Sequence, residues 1–598
     1  MYLRKVRPRG RGSRQVYWEL VESYRTAQGS RQRTVAYLGK LTRKELSGWQ
    51  VLSTRLNGKA PASPGLFDPP GWDPQGAPFE LVDVKRIAVR RLRSFGDVYL
   101  GWTLWRMLGL EALLGEKMPA GREGVAWPLV AAILCICRFC RPSSELHIEK
   151  HLYPQSALED LVGVAPEQVH TDRLYAGLDQ LLGQKKAIEQ HLRQRLGQLF
   201  DLSYDLLLYD LTSTYFEGQC VANPMAKRGY SRDSRGDCPQ VVIALVVTAE
   251  GYPLGYEVFE GNTADSTTVR QVVEKVEAEH GKMNRVWVMD RGNVSEENLA
   301  FLRQRGARYI VGTPKAMLRQ VQGQISEQGW QEVRQGIQVK AVTWPEGKAD
   351  TGETLILCRS QDRVQKEEAM LERFIRRMER GLEALARAAA SGRLKDASAA
   401  HVRLGRLLDQ NWRAAGCFQV KITPPAQEGG KLQIAWSKDE ARKRRLCGCY
   451  LLRTNLGQVD PVTLWRQYIQ LVDAEWAFRI SKDELGLRPI WHQNQDRVQG
   501  HILVCFIAYA MWKTLSGWMK ASGLGEAPRP LVEELGTIKS GDVVLPTRGP
   551  GGPVGPTLLV RCVTRPDEHQ AVLLNRLGLE LPNQLKRFRV EGSTMPAG

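Results

Sequence analysis

The segments Leu206-Leu-Leu-Tyr-Asp210, Val241-Val-Ile-Ala-Leu-Val-Val-Thr248, Leu254-Gly-Tyr-Glu-Val-Phe259, Arg285-Val-Trp-Val-Met-Asp290 and Ala307-Arg-Tyr-Ile-Val-Gly-Thr313 decide the fold. Each is a short run rich in β-branched, aromatic or leucine side chains, the composition of a strand. Between the third and fourth, Asp265 to Ala278 opens with acid and hydroxyl residues and continues as a helix; between the fourth and fifth, Ser295 is placed to cap a helix reaching Arg305. The order is β-β-β-α-β-α-β. Three leading strands form a meander and each helical crossover returns a parallel strand, so the expected product is an α/β fold with a mixed sheet flanked by helices.

Outward from that stretch the texture changes on both sides. Residues 1–60 are expected to form a basic β-hairpin region, with alternating strands at Arg14 to Ser23 and Gln32 to Leu38 and a turn at Ala27-Gln-Gly29. Residues 61–84 are a Pro/Gly-rich linker, and 85–200 a helical domain with helices such as Gly101 to Leu114 and Lys185 to Leu199. Residues 201–319 hold the first part of the α/β core. Residues 320–455 read as an α+β insertion around a long amphipathic helix, Gln365 to Arg387, and 456–520 supply the second part of the core through helices near Pro461 to Leu485 and Arg497 to Leu515. The Gly/Pro-rich stretch 521–598 is expected to be a loosely attached extension.

The chain has 598 residues and a formal net charge of +19, a field that favours polyanions. Residues 1–60 alone carry fourteen Lys/Arg against Glu19, Glu22 and Glu45. This region is expected to supply phosphate contacts while the helical domain reads the DNA sequence. The most apolar stretches, Val125 to Cys140 and His501 to Trp512, fall short of the roughly 20 residues that span a bilayer, so no membrane role is expected. The N-terminus lacks a secretory pattern, and a cytoplasmic, nucleoid-associated protein is expected. Cys135, Cys137 and Cys140 lie within an apolar segment and read as small hydrophobes rather than as zinc ligands with His147 and His151.

Two acids, Asp210 and Asp290, stand at the ends of predicted strands, where the site crevice of an open α/β sheet lies. Two such groups repel unless something positive lies between them, and a divalent cation does that. Capping a helix or pairing with Arg291 is the competing role for either acid. Further on, Tyr468, Glu475 and Lys482 recur every seven residues, which places a phenol, a carboxylate and an ammonium on one face of a helix.

At these residues the sequence resembles the insertion-sequence DDE transposases of bacteria whose third motif is called YREK, in its long-chain subgroup. Tyr468, Glu475 and Lys482 match the motif's spacing, and Leu471 replaces its Arg. The resemblance extends through Gly229-Tyr-Ser-Arg-Asp-Ser-Arg235, Phe259-Glu-Gly-Asn262, Leu452-Arg-Thr-Asn455 and Arg488-Pro-Ile-Trp-His492. It implies an RNase H-like core interrupted by an insertion, with Asp210, Asp290 and Glu475 as the catalytic triad holding two Mg²⁺ ions, for which Mn²⁺ can substitute. Such a pair clamps an in-line attack on phosphorus by water or a 3′ hydroxyl. The resemblance further implies that double-stranded DNA, as element ends and target, is the partner, and a homodimer on the DNA is expected. Tyr468, Lys482 and Arg479 are the expected DNA contacts near the metals. Trp344 and Trp436 lie in the insertion, where related transposases stack a flipped base, although core packing is the stronger expectation for each, as it is for His492 and His501. A nuclease that cuts without joining and an idle DNA-binding relic remain as alternatives; the retained acids argue against the relic. A paired-carboxylate glycosidase explains neither the charge nor the lysine.

Overall fold

The computed structural model describes residues 1–6, 16–26, 29–57, 82–118, 124–282, 284–344, 352–425, 430–457, 459–548 and 554–590. The turn expected at 27–29 and the linker expected at 61–84 fall largely outside these residues. The chain divides into two units, Met1–Arg93 with Ile538–Asp567 and Glu580–Gly598, and Ser94–Thr537 with Glu568–Leu579.

In the first unit, strands β1 (Tyr2–Val6), β2 (Tyr17–Thr26) and β3 (Gly29–Gly39) form an antiparallel sheet, followed by the helix Arg43–Leu56. Strand β4 (Ala88–Ser94) belongs to a separate four-stranded sheet with strands from the C-terminal end of the chain.

The second unit begins with helices. A single helix expected over Gly101 to Leu114 is two, Gly96–Met107 and Leu110–Lys117, because Gly109 adopts a left-handed conformation (φ 69°) that ends the first. The helix Trp127–Cys140 buries Cys135, Cys137 and Cys140, and burial pushes the Cys137 thiol up to about 12, as suits an apolar role.

Among the described residues the central sheet has nine strands. Strand β5 (Leu206–Tyr215) lies between β6 (Gln240–Thr248) and β8 (Val286–Met289), with β7 (Pro253–Glu260) beyond β6 and β9 (Arg308–Gly312) beyond β8. β5, β6 and β7 are antiparallel neighbours, whereas β8 runs parallel to β5 and β9 parallel to β8, through the helices Asp265–His280 and Glu296–Gln304. This is the RNase H-like mixed sheet implied by the resemblance. Its core is filled by Leu207, Tyr209, Val242, Ala244, Trp287 and Tyr309, the alternate residues facing the two crossover helices.

The sheet does not stop at residue 319. Strands β10 (Gln331–Arg334), β11 (Ile337–Val342), β12 (Thr354–Ser360) and β15 (Cys449–Thr454) extend it antiparallel beyond β9, so the first and last parts of the expected insertion are continuous with the core sheet. What projects between β12 and β15 is the helix Gln361–Ala390, the helix Ala397–Gln410 and the hairpin β13 (Phe418–Thr423) and β14 (Gln433–Lys438), which have apolar clusters of their own. The join is fastened by the Leu452–Asn455 segment: Arg453 pairs with buried Glu353 at 2.7 Å and with Glu296 at 2.6 Å, and the Asn455 amide carbonyl accepts from the Tyr309 backbone N–H at 2.8 Å.

After β15 come the helices Pro461–Ile469 and Leu471–Arg479, a π turn at Ile480–Glu484, and the helix Gln495–Ala521. This last helix exceeds the expected span and is long and apolar enough by composition to cross a membrane, yet 83% of its apolar window is buried inside the fold. The expectation of a loosely attached tail is corrected here. The helix Pro528–Leu535 buries Leu531, Val532 and Leu535. Strands β16 (Lys539–Arg548), β17 (Val554–Val563) and β18 (Gln584–Val590) complete the sheet of β4, with a buried Asp542–Arg561 pair at 2.6 Å across β16 and β17. The Gly/Pro-rich stretch that suggested looseness lies between two paired strands.

Candidate active site

Asp210 sits in the middle of β5 rather than at the strand end expected from the sequence, because Thr212, Ser213 and Thr214 continue the strand as far as β6 accompanies it. The hydroxyls that disguised this continuation are bonded: Ser213 Oγ accepts from the Arg232 backbone N–H at 3.1 Å and Thr214 donates to the Leu487 carbonyl at 3.2 Å. The parallel pairing with β8 ends at Tyr209 and Met289, so Asp210 and Asp290 follow immediately on adjacent strands. Asp290 then precedes the short turn Arg291–Asn293. Glu475 comes from the helix Leu471–Arg479, which packs on β5.

The three acids act on one another. Burial raises Asp210 to about 7 against the pull of the Leu211 backbone N–H, and the negative charges of Glu475 and Asp290 push the same way. Glu475 is raised by burial and by Asp290, with the Arg363 guanidinium opposing. Among the described residues none of the three forms an ion pair with Lys or Arg. A set of hard carboxylate oxygens that repel one another and lack a cationic partner suits Mg²⁺ or Mn²⁺.

Tyr468 and Glu475 line the same cleft, and the Asp290 charge bears on both, whereas Lys482 is buried against Asp233. Gln470 keeps a helical conformation between Pro461–Ile469 and Leu471–Arg479, and the π turn changes the phase before Lys482. Tyr468 turns its phenol to within 3.5 Å of Asp290 Oδ1, and burial followed by the Asp290 charge pushes its pKa well up, which keeps the phenol protonated. Gly312 makes room for it: a Cβ there would lie 2.7 Å from the Tyr468 hydroxyl. Lys482 is buried and held by Asp233 at 2.8 Å, and Arg488 pairs with the same carboxylate. Arg479 is exposed, lies over the Trp476 ring at 5.1 Å and approaches Asp483 at 3.8 Å. Leu471, in place of the motif's Arg, is buried.

The motifs quoted separately from the sequence meet around the site. Gly229 packs directly against the backbone of Gly261, where a Cβ would come within 2.2 Å of the Gly261 carbonyl oxygen, and Gln240 donates to the carbonyls of Tyr230 and Gly261 at 3.0 and 2.8 Å. Arg232, from the same loop, pairs with Asp265 at 2.6 Å, and its charge bears on Asp210. Asp265 in turn abuts Gly292, two residues beyond Asp290. Sequence reading quoted Arg232 and Asp233 only within the 229–235 motif and Asp265 only as a helix start, with no role for any of them; the Lys482–Asp233 pairing joins residues 249 positions apart, and nothing in local spacing signals it.

Asp290, Tyr468 and Glu475 line an open cleft of about 720 Å³. The same cleft is lined by Lys315, Arg319, Arg363, Lys366, Arg413 and Lys443, and the Arg363 charge bears on Glu475. Trp412, 65% exposed, also lines it, whereas Trp344 donates to the Glu353 carbonyl at 2.7 Å within an apolar cluster and Trp436 packs in another. Elsewhere, Glu145, His492 and His501 bring donor atoms within 4.8 Å of one another. Burial pushes Glu145 up, but the His492 hydrogen bond and the nearby Arg138 charge bring it to about 2, while burial holds His501 well below the usual imidazole range.

Residues 201–511 match the transposase DDE domain family, and residues 3–61 match the N-terminal domain of the IS1634 family transposases. No curated protein matches the chain. Among solved structures, a piggyBac transposase synaptic complex with hairpin DNA is similar at a TM-score of 0.36 and 8% identity, over 74% of this chain and 79% of that one, a likeness too remote to bear on the site.

Proposed function

The chain belongs to the transposase DDE domain family, and from that premise we propose that this DNA transposase cuts the ends of an insertion sequence and joins the 3′ ends to target DNA at Asp210, Asp290 and Glu475. The observation that carries the reading is that Asp210 and Asp290 directly follow paired positions of adjacent parallel strands, that Glu475 comes from the helix packed on β5, that the charges of Asp290 and Glu475 bear on Asp210, and that these two acids line a cleft rich in Lys and Arg.

Asp210, Asp290 and Glu475 would hold two Mg²⁺ ions, with Mn²⁺ as a substitute. When bound, the ions activate the attacking oxygen and stabilise charge on the leaving oxygen. Tyr468 orients the Asp290 carboxylate. The cleft's lysines and arginines take the phosphates of the DNA, which fixes its position without reading its sequence. Arg479, exposed one turn beyond Glu475, supplies a further phosphate contact. Lys482 acts through Asp233, fastening the 229–235 loop to the helix that carries Glu475. An element has two ends, so two copies of the chain act together.

Substituting Asp210, Asp290 or Glu475 with Ala is expected to abolish Mg²⁺-dependent cleavage of element-end DNA while binding persists, because affinity comes from Lys/Arg contacts to phosphate. Retained cleavage in Glu475→Ala removes that residue from the site. Wild-type protein that nicks ends but never joins pre-cut ends to target DNA is a nuclease instead.

A further inference from the structure

The N-terminal sheet has two parts. β1 accompanies β2 only over Tyr17–Val21, against the full breadth of the sheet. Beyond Val21, β2 and β3 continue alone among the described residues for five more pairs, from Glu22 opposite Arg33 to Thr26 opposite Gly29. The result is a two-stranded ribbon of roughly 17 Å. Ser23, Tyr24 and Arg25 on one strand and residues 29–33 on the other are exposed. A ribbon without a packed face is marginal by itself, so its side chains are not there to build a core.

Directly opposed residues share a face. One face carries Glu22 with Arg33 and Tyr24 with Arg31; there Arg33 pairs with Glu22 at 2.7 Å and lies over the Tyr24 ring at 5.8 Å, which stiffens the ribbon. The other face carries Ser23 opposite Gln32 and Arg25 opposite Ser30. It has no acid, and among the described residues none of these four side chains has a partner.

We propose that this second face enters the major groove of duplex DNA at the element ends and reads its sequence through Gln32 and Arg25. The proposal rests on the reading that the protein acts on element ends. A major groove of about 12 Å admits a two-stranded ribbon. Arg matches the O6 and N7 acceptors of guanine, Gln the N6 and N7 of adenine, and Ser either. The positive charge of Arg25, Arg31 and Arg33 against Glu22 alone suits the polyanion. The sequence-reading role thus falls to the ribbon rather than to the helical domain.

The test is fluorescence anisotropy with the full chain, on a duplex of the element's terminal repeat and on a scrambled duplex of equal length. Wild-type protein is expected to prefer the terminal duplex. Gln32→Ala and Arg25→Lys, both at exposed positions, are each expected to lower that preference about 10-fold, while the salt dependence stays unchanged because no charge is lost. With wild-type protein, 7-deazaguanine and 7-deazaadenine in the terminal duplex are expected to erase the same preference, independently of any variant. If the variants and the deaza bases leave the preference intact, or lower binding to both duplexes equally, the ribbon does not read sequence although end recognition stands. If wild-type protein binds both duplexes equally, end recognition itself fails and the proposal falls with it.

Discussion

Asp210 offers the sharpest test of the acid cluster, because its burial beside two other carboxylates has a measurable consequence in metal-free protein. The fold raises it from an ordinary 3.8 to about 7. Between those values the folded chain keeps a proton that the unfolded chain has released, so stability must fall as pH rises from about 4 to about 7 and level off above. At about 1.4 kcal/mol per tenfold change in proton affinity, the full difference is about 4 kcal/mol, which solvent around a partly exposed carboxylate reduces to about 2. The perturbation is Asp210→Asn, neutral at every pH. Urea unfolding in EDTA from pH 4 to pH 8 should show wild-type protein losing about 2 kcal/mol relative to the variant over that window, which cancels the contributions of all other titrating groups. Mg²⁺ at pH 8 should restore stability to wild-type protein and do less for Asp210→Asn, since a ligand bound only by the folded state stabilises it. A pH-independent difference between the two proteins, or equal stabilisation of both by Mg²⁺, would refute the view that these acids form one electrostatically strained metal site.

Asp233→Asn should cost about 3 kcal/mol in the same unfolding assay by leaving Lys482 buried without its partner, while Asp233→Leu combined with Lys482→Met should recover most of the loss; strictly additive effects would mean the pair does not interact. Lys482→Met should leave the salt dependence of DNA binding unchanged, whereas a fall of about 0.9 in the log-log slope would show that its ammonium touches phosphate. Gly312→Ala should push the Tyr468 phenol off Asp290 and, with Tyr468→Phe, weaken Mg²⁺-dependent cleavage about 10-fold, the range expected for a group that orients a metal ligand; wild-type activity in Tyr468→Phe would make the 3.5 Å contact incidental. Deleting residues 1–60 should flatten the salt dependence by several units, and an unchanged slope would leave its fourteen basic residues without a role in binding.

The order of the central strands was legible because it is written in local composition. Val241–Thr248 and Val286–Met289 are too apolar and too short to be anything but buried strands, and the intervening helices declare their starts at Asp265 and Ser295. The location of Asp210 and Asp290 on neighbouring strands followed from that order. Long-range pairing was not legible. That β12 and β15 extend the core sheet depends on Arg453, Glu353, Glu296 and Tyr309 meeting across 44 to 157 residues, and the tail strands pair with Ala88–Ser94 from the opposite end of the chain. The even spacing of Tyr468, Glu475 and Lys482 suggested one shared face, because periodicity assumes an unbroken helix. The π turn after Arg479 undoes that assumption for Lys482, which is buried against Asp233, while Tyr468 and Glu475 stay on one cleft. Strand and helix propensity act between near neighbours and can be read from them, whereas which buried charge finds which counter-charge is decided only when the packed fold brings distant segments together and leaves each one a single low-energy partner.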